Sequence, residues 1–223
     1  MTRGQFIVIE GSDGSGKSTQ FKLLVDYLTS HNIPFTSHHF PRYEEPSSYF
    51  VKEYLRGAYG SGEELGAYKP SLFYALDRFQ AGQGIRDELA EGKIVLCDRY
   101  IGSNMAHQGH KLASEKERTD YFSWLYDIEY GILGIPKPDL NIVLSIPADI
   151  SIKLMTQRDQ EKNSVKGDIH EADPHHLERS TRTYREICQQ FPEDFWLVDC
   201  MEDEKLRPIN AIHEQILSRL RLT

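Results

Sequence analysis

Short runs of apolar, β-prone residues alternate along the chain with longer stretches whose apolar positions recur at helical spacing. The runs are Phe6 to Ile9, Pro34 to His38, Ile94 to Cys97, Leu140 to Ile146 and Phe195 to Val198, and they predict five strands. Between them lie amphipathic segments, with Phe21, Leu24, Val25 and Leu28 on one face after the first strand and Ile209, Ile212, Ile216, Leu217 and Leu220 at the end. Strands alternating with helices imply a parallel sheet covered on both faces, an α/β class of fold. Near-continuous apolarity in the third and fourth runs fits strands buried on both sides. Two stretches break the rhythm. Gly57 to Gly62 reads as a loop, and the polar run from Gln157 to Pro174 reads as a mobile flap. Neither resembles a linker, so one domain spanning 1–223 is expected, with a lid at about 157–174 inside it.

Composition narrows the classes. The 223 residues are 39% hydrophobic, enough for a substantial core, and no apolar stretch approaches the roughly 20 residues of a spanning helix. No membrane association is expected. The N-terminus enters the first strand without the features of a secretory signal. Cys97, Cys188 and Cys200 have no metal-type spacing and sit in or beside apolar stretches, as reduced thiols do, so a cytoplasmic location is expected. With 26 basic against 34 acidic side chains the net charge is −8, which argues against a nucleic-acid-coating protein.

The first strand runs into Gly11-Ser12-Asp13-Gly14-Ser15-Gly16-Lys17-Ser18-Thr19, which satisfies the phosphate-loop pattern of a glycine, four residues, then Gly-Lys-Ser/Thr. The glycines let backbone N–H groups turn inward around a β-phosphate. Lys17 supplies a point charge to the β and γ oxygens, and the Ser18 hydroxyl can sit on Mg²⁺. A side chain at Gly16 is expected to block the approach. ATP or GTP is therefore the expected ligand of Gly11 through Thr19. Asp98, at the carboxyl end of the third strand, stands where a carboxylate meets Mg²⁺ or its water shell.

The acceptor follows from charge. A hydroxyl acceptor benefits from a carboxylate base, whereas a phosphate monoester is already anionic and needs cations to offset repulsion. Arg42 in Phe40-Pro41-Arg42-Tyr43 and Arg99 both follow strands at the carboxyl edge of the sheet, and Arg78 lies in Leu72 to Arg78. Three arginines so placed suit an anionic acceptor, although Glu44-Glu45 close behind Arg42 leaves a nucleoside acceptor open. The absence of an Asn-Lys-x-Asp stretch disfavours a guanine-nucleotide switch.

These motifs, in this order, resemble the thymidylate kinases: the loop opening Gly-Ser-Asp-Gly, Phe40 to Tyr43, Tyr74-Ala75-Leu76-Asp77-Arg78, Asp98-Arg99-Tyr100 with Ser103-Asn104 behind it, and Asp168-Ile169-His170-Glu171. The resemblance covers nearly the whole chain. It implies a P-loop kinase that uses ATP and Mg²⁺ to convert dTMP to dTDP, as a homodimer. It also implies that Asp13 contacts the deoxyribose 3′-hydroxyl and helps organise Mg²⁺, and that Arg42 and Arg99 hold the monophosphate. Phe40, Pro41, Tyr43 and Ser103 would belong to the acceptor pocket, Tyr74 would stack on thymine, and Arg78 and Asn104 would meet its polar edge.

The chain departs from the family pattern at two places. His107 stands where the family usually has Tyr or Phe against the sugar. Gly14 takes the loop position where some members carry an arginine, so the lid must supply a cation from Arg158, Lys162 or Lys166. Two other readings remain: a deoxynucleoside kinase served by Glu45, and a nucleotide-binding regulatory module without turnover.

Overall fold

The computed structural model describes residues 3–162 and 174–220, with the backbone alone at 63, 158–162 and 174. All five expected strands are present: β1 (Phe6–Gly11), β2 (Phe35–His39), β3 (Ile94–Asp98), β4 (Leu140–Ser145) and β5 (Phe195–Asp199). They form one parallel sheet in the order β2-β3-β1-β4-β5. β1 is central because every one of its residues is apolar or fully packed, and all six are buried.

Side-chain alternation divides the core between the two faces. Phe6, Val8, Val95, Cys97 and Val143 point to a layer built on α4 (Tyr68–Ala90), α5 (Ile101–Gly109) and α8 (Pro174–Gln190), with Ile85, Met105 and Tyr184 among its contacts. Ile7, Ile9, Leu96, Ile142 and Leu144 point the other way, to Leu24 and Leu28 of α1 (Lys17–Ser30) and Ile212 and Ile216 of α9 (Ile209–Arg219). Each such side chain contributes roughly 1.5–3 kcal/mol by leaving water. β1 lies between β3 and β4, so the connections leaving its carboxyl end diverge and open a crevice there.

The loop after β2 leads through α2 (Tyr49–Leu55) to the Gly57–Gly62 stretch, a turn with Gly57 and Gly60 at positive φ that ends in the short α3 (Gly62–Leu65). α6 (Glu115–Tyr126) starts at a capping box in which the Ser114 side chain and Glu117 exchange hydrogen bonds, and it widens into a π turn at Asp127–Ile132. α7 (Ala148–Lys162) continues helically through Arg158 and Lys162, farther than a flap beginning at 157 suggests. Lys166 and the Asp168 to Glu171 motif lie outside the described residues. Two very short strands without a sequence signal, β6 (Met201–Glu202) and β7 (Lys205–Leu206), pair as a hairpin through Asp203 and Glu204, both at positive φ.

Candidate active site

The phosphate loop is fixed by backbone geometry. Gly11 has φ 140°, and a Cβ there would lie 2.6 Å from the Leu144 carbonyl oxygen; at Gly14, φ 75°, a Cβ would lie 2.7 Å from the Ser151 carbonyl oxygen. At Gly16 a Cβ would meet no protein atom within 4 Å, and the left-handed φ of 92° at the start of α1 favours glycine in its own right. Lys17 donates to the Ser12 carbonyl at 2.8 Å and lies 3.8 Å from Asp13. Burial, reinforced by the nearby Arg99 charge, pulls the Lys17 pKa down to about 8. Gly14 through Thr19 line a cavity of about 410 Å³ that reaches Asp98, Met155, Leu206 and Arg207.

A second cavity of about 300 Å³ adjoins it. Its walls include Phe40, Pro41, Tyr43, Tyr74, Arg78, Ser103, Asn104 and His107, all expected in the acceptor pocket. Asp13 and Arg99 line both cavities. Arg99 adopts φ 66° directly after β3, a left-handed conformation unusual for a residue with a Cβ, and its Nη2 donates to Asp13 Oδ1. Burial opposes ionisation of Asp13, but Arg99 and Lys17 outweigh it and hold the carboxyl well below the usual range.

Arg42 behaves differently from Arg99. It does not line the cavity; Asp77, itself buried, accepts from its backbone N–H at 2.8 Å and its Nε at 3.2 Å, while Ser47 takes an Nη2 hydrogen bond at 2.9 Å. Glu45 is exposed and also outside the cavity lining. Asp98 Oδ1 is buried and has no hydrogen-bond partner among the described residues. An orphaned carboxylate oxygen beside the exposed Ser18, in a cavity sized for a polyphosphate, fits Mg²⁺, which takes most of its shell from phosphate and water. Among the described residues no group of three or more His, Cys, Asp or Glu side chains is arranged to hold an ion unaided.

Several residues that shape the site have no motif. Glu10, fully buried in β1, accepts from the backbone N–H of Tyr100 at 2.8 Å and of Ser103 at 3.0 Å, capping α5. Its other oxygen accepts from Ser103 Oγ at 2.6 Å and Tyr184 Oη at 3.0 Å. Glu129, also fully buried, pairs with Arg78. His107 connects Arg99 to α8. Arginine only donates, so the contact of 3.1 Å from Arg99 Nη1 makes His107 Nε2 the acceptor; the ring proton then sits on Nδ1, 3.2 Å from His176 Nε2. Burial, then Arg99, keeps His107 neutral far below the ordinary histidine range.

His110 stacks edge-on against His176 at 4.4 Å, and neither of its ring nitrogens has a hydrogen-bond partner among the described residues. Burial, then His176, lowers its pKa to about 3, from 6.5 when unfolded. The unfolded chain therefore gains a proton near pH 6.5 that the folded chain refuses until about 3, so stability present above 6.5 is lost on acidification through that window. His110→Phe is expected to stabilise the protein by about 1 kcal/mol, by removing two unsatisfied nitrogens, and to flatten the fall in Tm between neutral pH and 4. Thermal melts across that pH range check it; an unchanged slope counts against His110 as its source.

The sequence profile of the family described as Thymidylate kinase matches residues 9–216. A thymidylate kinase of Rhodopseudomonas palustris is 31% identical over 211 residues, covering 94% of this chain and 86% of that protein. A thymidylate kinase of Plasmodium falciparum is 28% identical, with 98% and 90% covered. Among solved structures, the thymidylate kinase of Candida albicans superposes with a TM-score of 0.71 at 24% identity, covering 97% of this chain and 90% of that one, and that of Ehrlichia chaffeensis with 0.64 at 22%, covering 97% and 98%. At these identities the two structures speak to the fold alone.

Proposed function

This chain belongs to the thymidylate kinase family and phosphorylates dTMP; we propose that ATP is the donor, that Mg²⁺ accompanies it, and that Asp13 and Arg99 bring the two phosphates together. The carrying observation is that the same arginine and carboxylate line both cavities. An oxygen of the dTMP phosphate attacks the γ-phosphorus, the bond to the β,γ-bridging oxygen breaks, and ADP leaves with that electron pair. No enzyme-bound phosphoryl intermediate is required, since both reactants can be held in line.

Lys17 meets the β and γ oxygens from the loop, and Arg99 offsets the repulsion between donor and acceptor from the other side. Ser18 and Asp98, with Asp13 nearby, would hold Mg²⁺, whose bound charge draws electron density from the β and γ oxygens. Arg42, positioned by Asp77, supplies a fixed cation at the rim of the acceptor site. Tyr74 offers its ring to the base, and Phe40 and Pro41 wall the pocket. The 157–174 segment would serve as the lid of a single domain, with its cation drawn from Arg158, Lys162 or Lys166. A nucleoside kinase is not favoured: Glu45, the base it needs, stands outside the cavity.

The test is a coupled ADP-release assay over a panel of nucleoside monophosphates with thymidine as control. Turnover of dTMP and none of thymidine is expected; comparable turnover of thymidine overturns the phosphate-acceptor reading, and no turnover of either supports a regulatory module.

A homodimer and a cytoplasmic setting complete the proposal. α4 exposes Tyr68, Leu72, Leu76 and Phe79 along one side at helical spacing, an apolar stripe that a second copy of the chain would cover. Sedimentation is expected to show a dimer that L76E/F79E converts to monomer; a monomeric wild type rejects it. All three cysteines are free and buried, and no described helix is long and apolar enough to cross a membrane.

A further inference from the structure

The π turn at Asp127–Ile132 places Glu129 inside the molecule behind the acceptor cavity, where each carboxylate oxygen is committed. Oε2 accepts from Arg78 Nε at 2.6 Å; Oε1 accepts from Arg78 Nη2 at 2.5 Å and from Asn104 Nδ2 at 3.3 Å. Asn104 Nδ2 also donates to the Ser71 carbonyl at 3.1 Å. A carboxylate and a carbonyl both lack hydrogens to give, so together they oblige the Asn104 amide to present nitrogen to them and oxygen away from them. Asn104 Oδ1 is in consequence a buried acceptor with no partner among the described residues, and no other side-chain atom of the cavity lining has that status.

Arg78 is left with Nη1, whose contact is a long one of 3.4 Å to the Tyr100 carbonyl. Arg78 and Asn104 both line the cavity, and between them they hold one weakly engaged N–H donor, on Arg78, and one unpaired buried acceptor, on Asn104. Thymine's polar edge carries a carbonyl oxygen at C4 and a hydrogen on N3, the complement of that pair. Cytosine carries an amino group at C4 and a bare N3, which would set donor against donor and lone pair against lone pair.

We propose that Glu129 is a specificity-determining residue: by fixing the Asn104 amide and the Arg78 fork, it makes the pocket take a 4-keto pyrimidine and refuse a 4-amino one. This rests on the reading of the 300 Å³ cavity as the dTMP site. Glu129 never touches the base; it acts through two side chains that do. A glutamine at 129 has one acceptor oxygen and two hydrogens of its own. Giving the oxygen to Arg78 Nε turns its NH₂ toward Arg78 Nη2 and Asn104 Nδ2, donors both, so the Asn104 amide is caught between that NH₂ and the Ser71 carbonyl and its orientation toward the base is no longer fixed.

The experiment compares kcat/KM for dTMP and dCMP in wild type and Glu129→Gln. The expected result is a KM for dTMP raised about tenfold or more and a dTMP-to-dCMP ratio reduced at least as much, since the buried groups no longer match. A purely structural glutamate lowers both substrates together; a preserved ratio overturns the proposal. Glu129→Asp, which keeps the charge, is expected to retain most of the wild-type ratio. The wild-type protein gives a second readout should Glu129→Gln fail to fold. In ¹H–¹⁵N spectra the two Asn104 Nδ2 protons should resist exchange and stay in place when dTMP is added, whereas free exchange or rotation of that amide overturns the assignment. Absence of dTMP turnover in wild type would instead remove the functional reading on which this rests.

Discussion

Lys17→Met is expected to lower the rate of dTMP phosphorylation by on the order of 10³-fold while leaving the nucleotide-free protein at least as stable. The lysine is buried at the mouth of the phosphate loop, and burial together with Arg99 has already drawn its pKa down to about 8, so its charge sits there at a thermodynamic cost. Within the protein the Ser12 carbonyl and the charges of Asp13, Asp98 and Glu10 offset part of that cost, and a polyphosphate would offset more. Methionine keeps the length of the stem and removes the charge. A coupled ADP-release assay and a thermal melt without nucleotide read the two effects separately. A marked fall in Tm with turnover intact would remove Lys17 from the chemistry.

The second large effect belongs to Arg99. Arg99→Ala and Arg99→Gly are both expected to lose on the order of 10³-fold in kcat/KM, because the guanidinium common to both cavities is gone in each. They should differ in stability. The backbone at 99 has φ 66°, a region costly for alanine and easy for glycine, so the glycine variant is expected to be about 1 kcal/mol the more stable in urea unfolding. Alanine being equal or better would show that the native φ at 99 is not retained. Losing Arg99 also releases Asp13, whose carboxyl is held down largely by that partner, so the two variants should shift the acid limb of any residual activity upward.

Much of this was legible in the chain. The five runs became the five strands: β1, β3 and β4 are buried almost throughout, which leaves a composition signal that little else imitates, while the partly buried β2 and β5 were legible from their alternation with helices. The phosphate loop was legible because its glycines answer backbone requirements, at Gly11 and Gly14 a close carbonyl and at Gly16 the left-handed turn. The acceptor motifs converged on one cavity, with Arg42 set back against Asp77.

What escaped notice has a common physical reason. Glu10 and Glu129 act as acceptors for groups 25 to 174 positions away, from Asn104 for Glu129 to Tyr184 for Glu10, and nothing local marks a carboxylate as buried rather than solvated. His107 and His176 meet across 69 positions for the same reason. The β6–β7 hairpin is two residues to a side, too short for any periodicity to register.

Glu10 carries a last consequence. It stands on the strand that feeds the donor loop, yet its oxygens grip the first turn of the helix beside the acceptor and a tyrosine on α8. The two halves of the reaction are therefore bolted to a common chassis. A shift of β1 would carry both along, so the frame helps to set the span across which the phosphoryl group travels. Such an enzyme has no need to tune that reach anew at each turnover, and its working motions can be left to whatever moves above a stationary base.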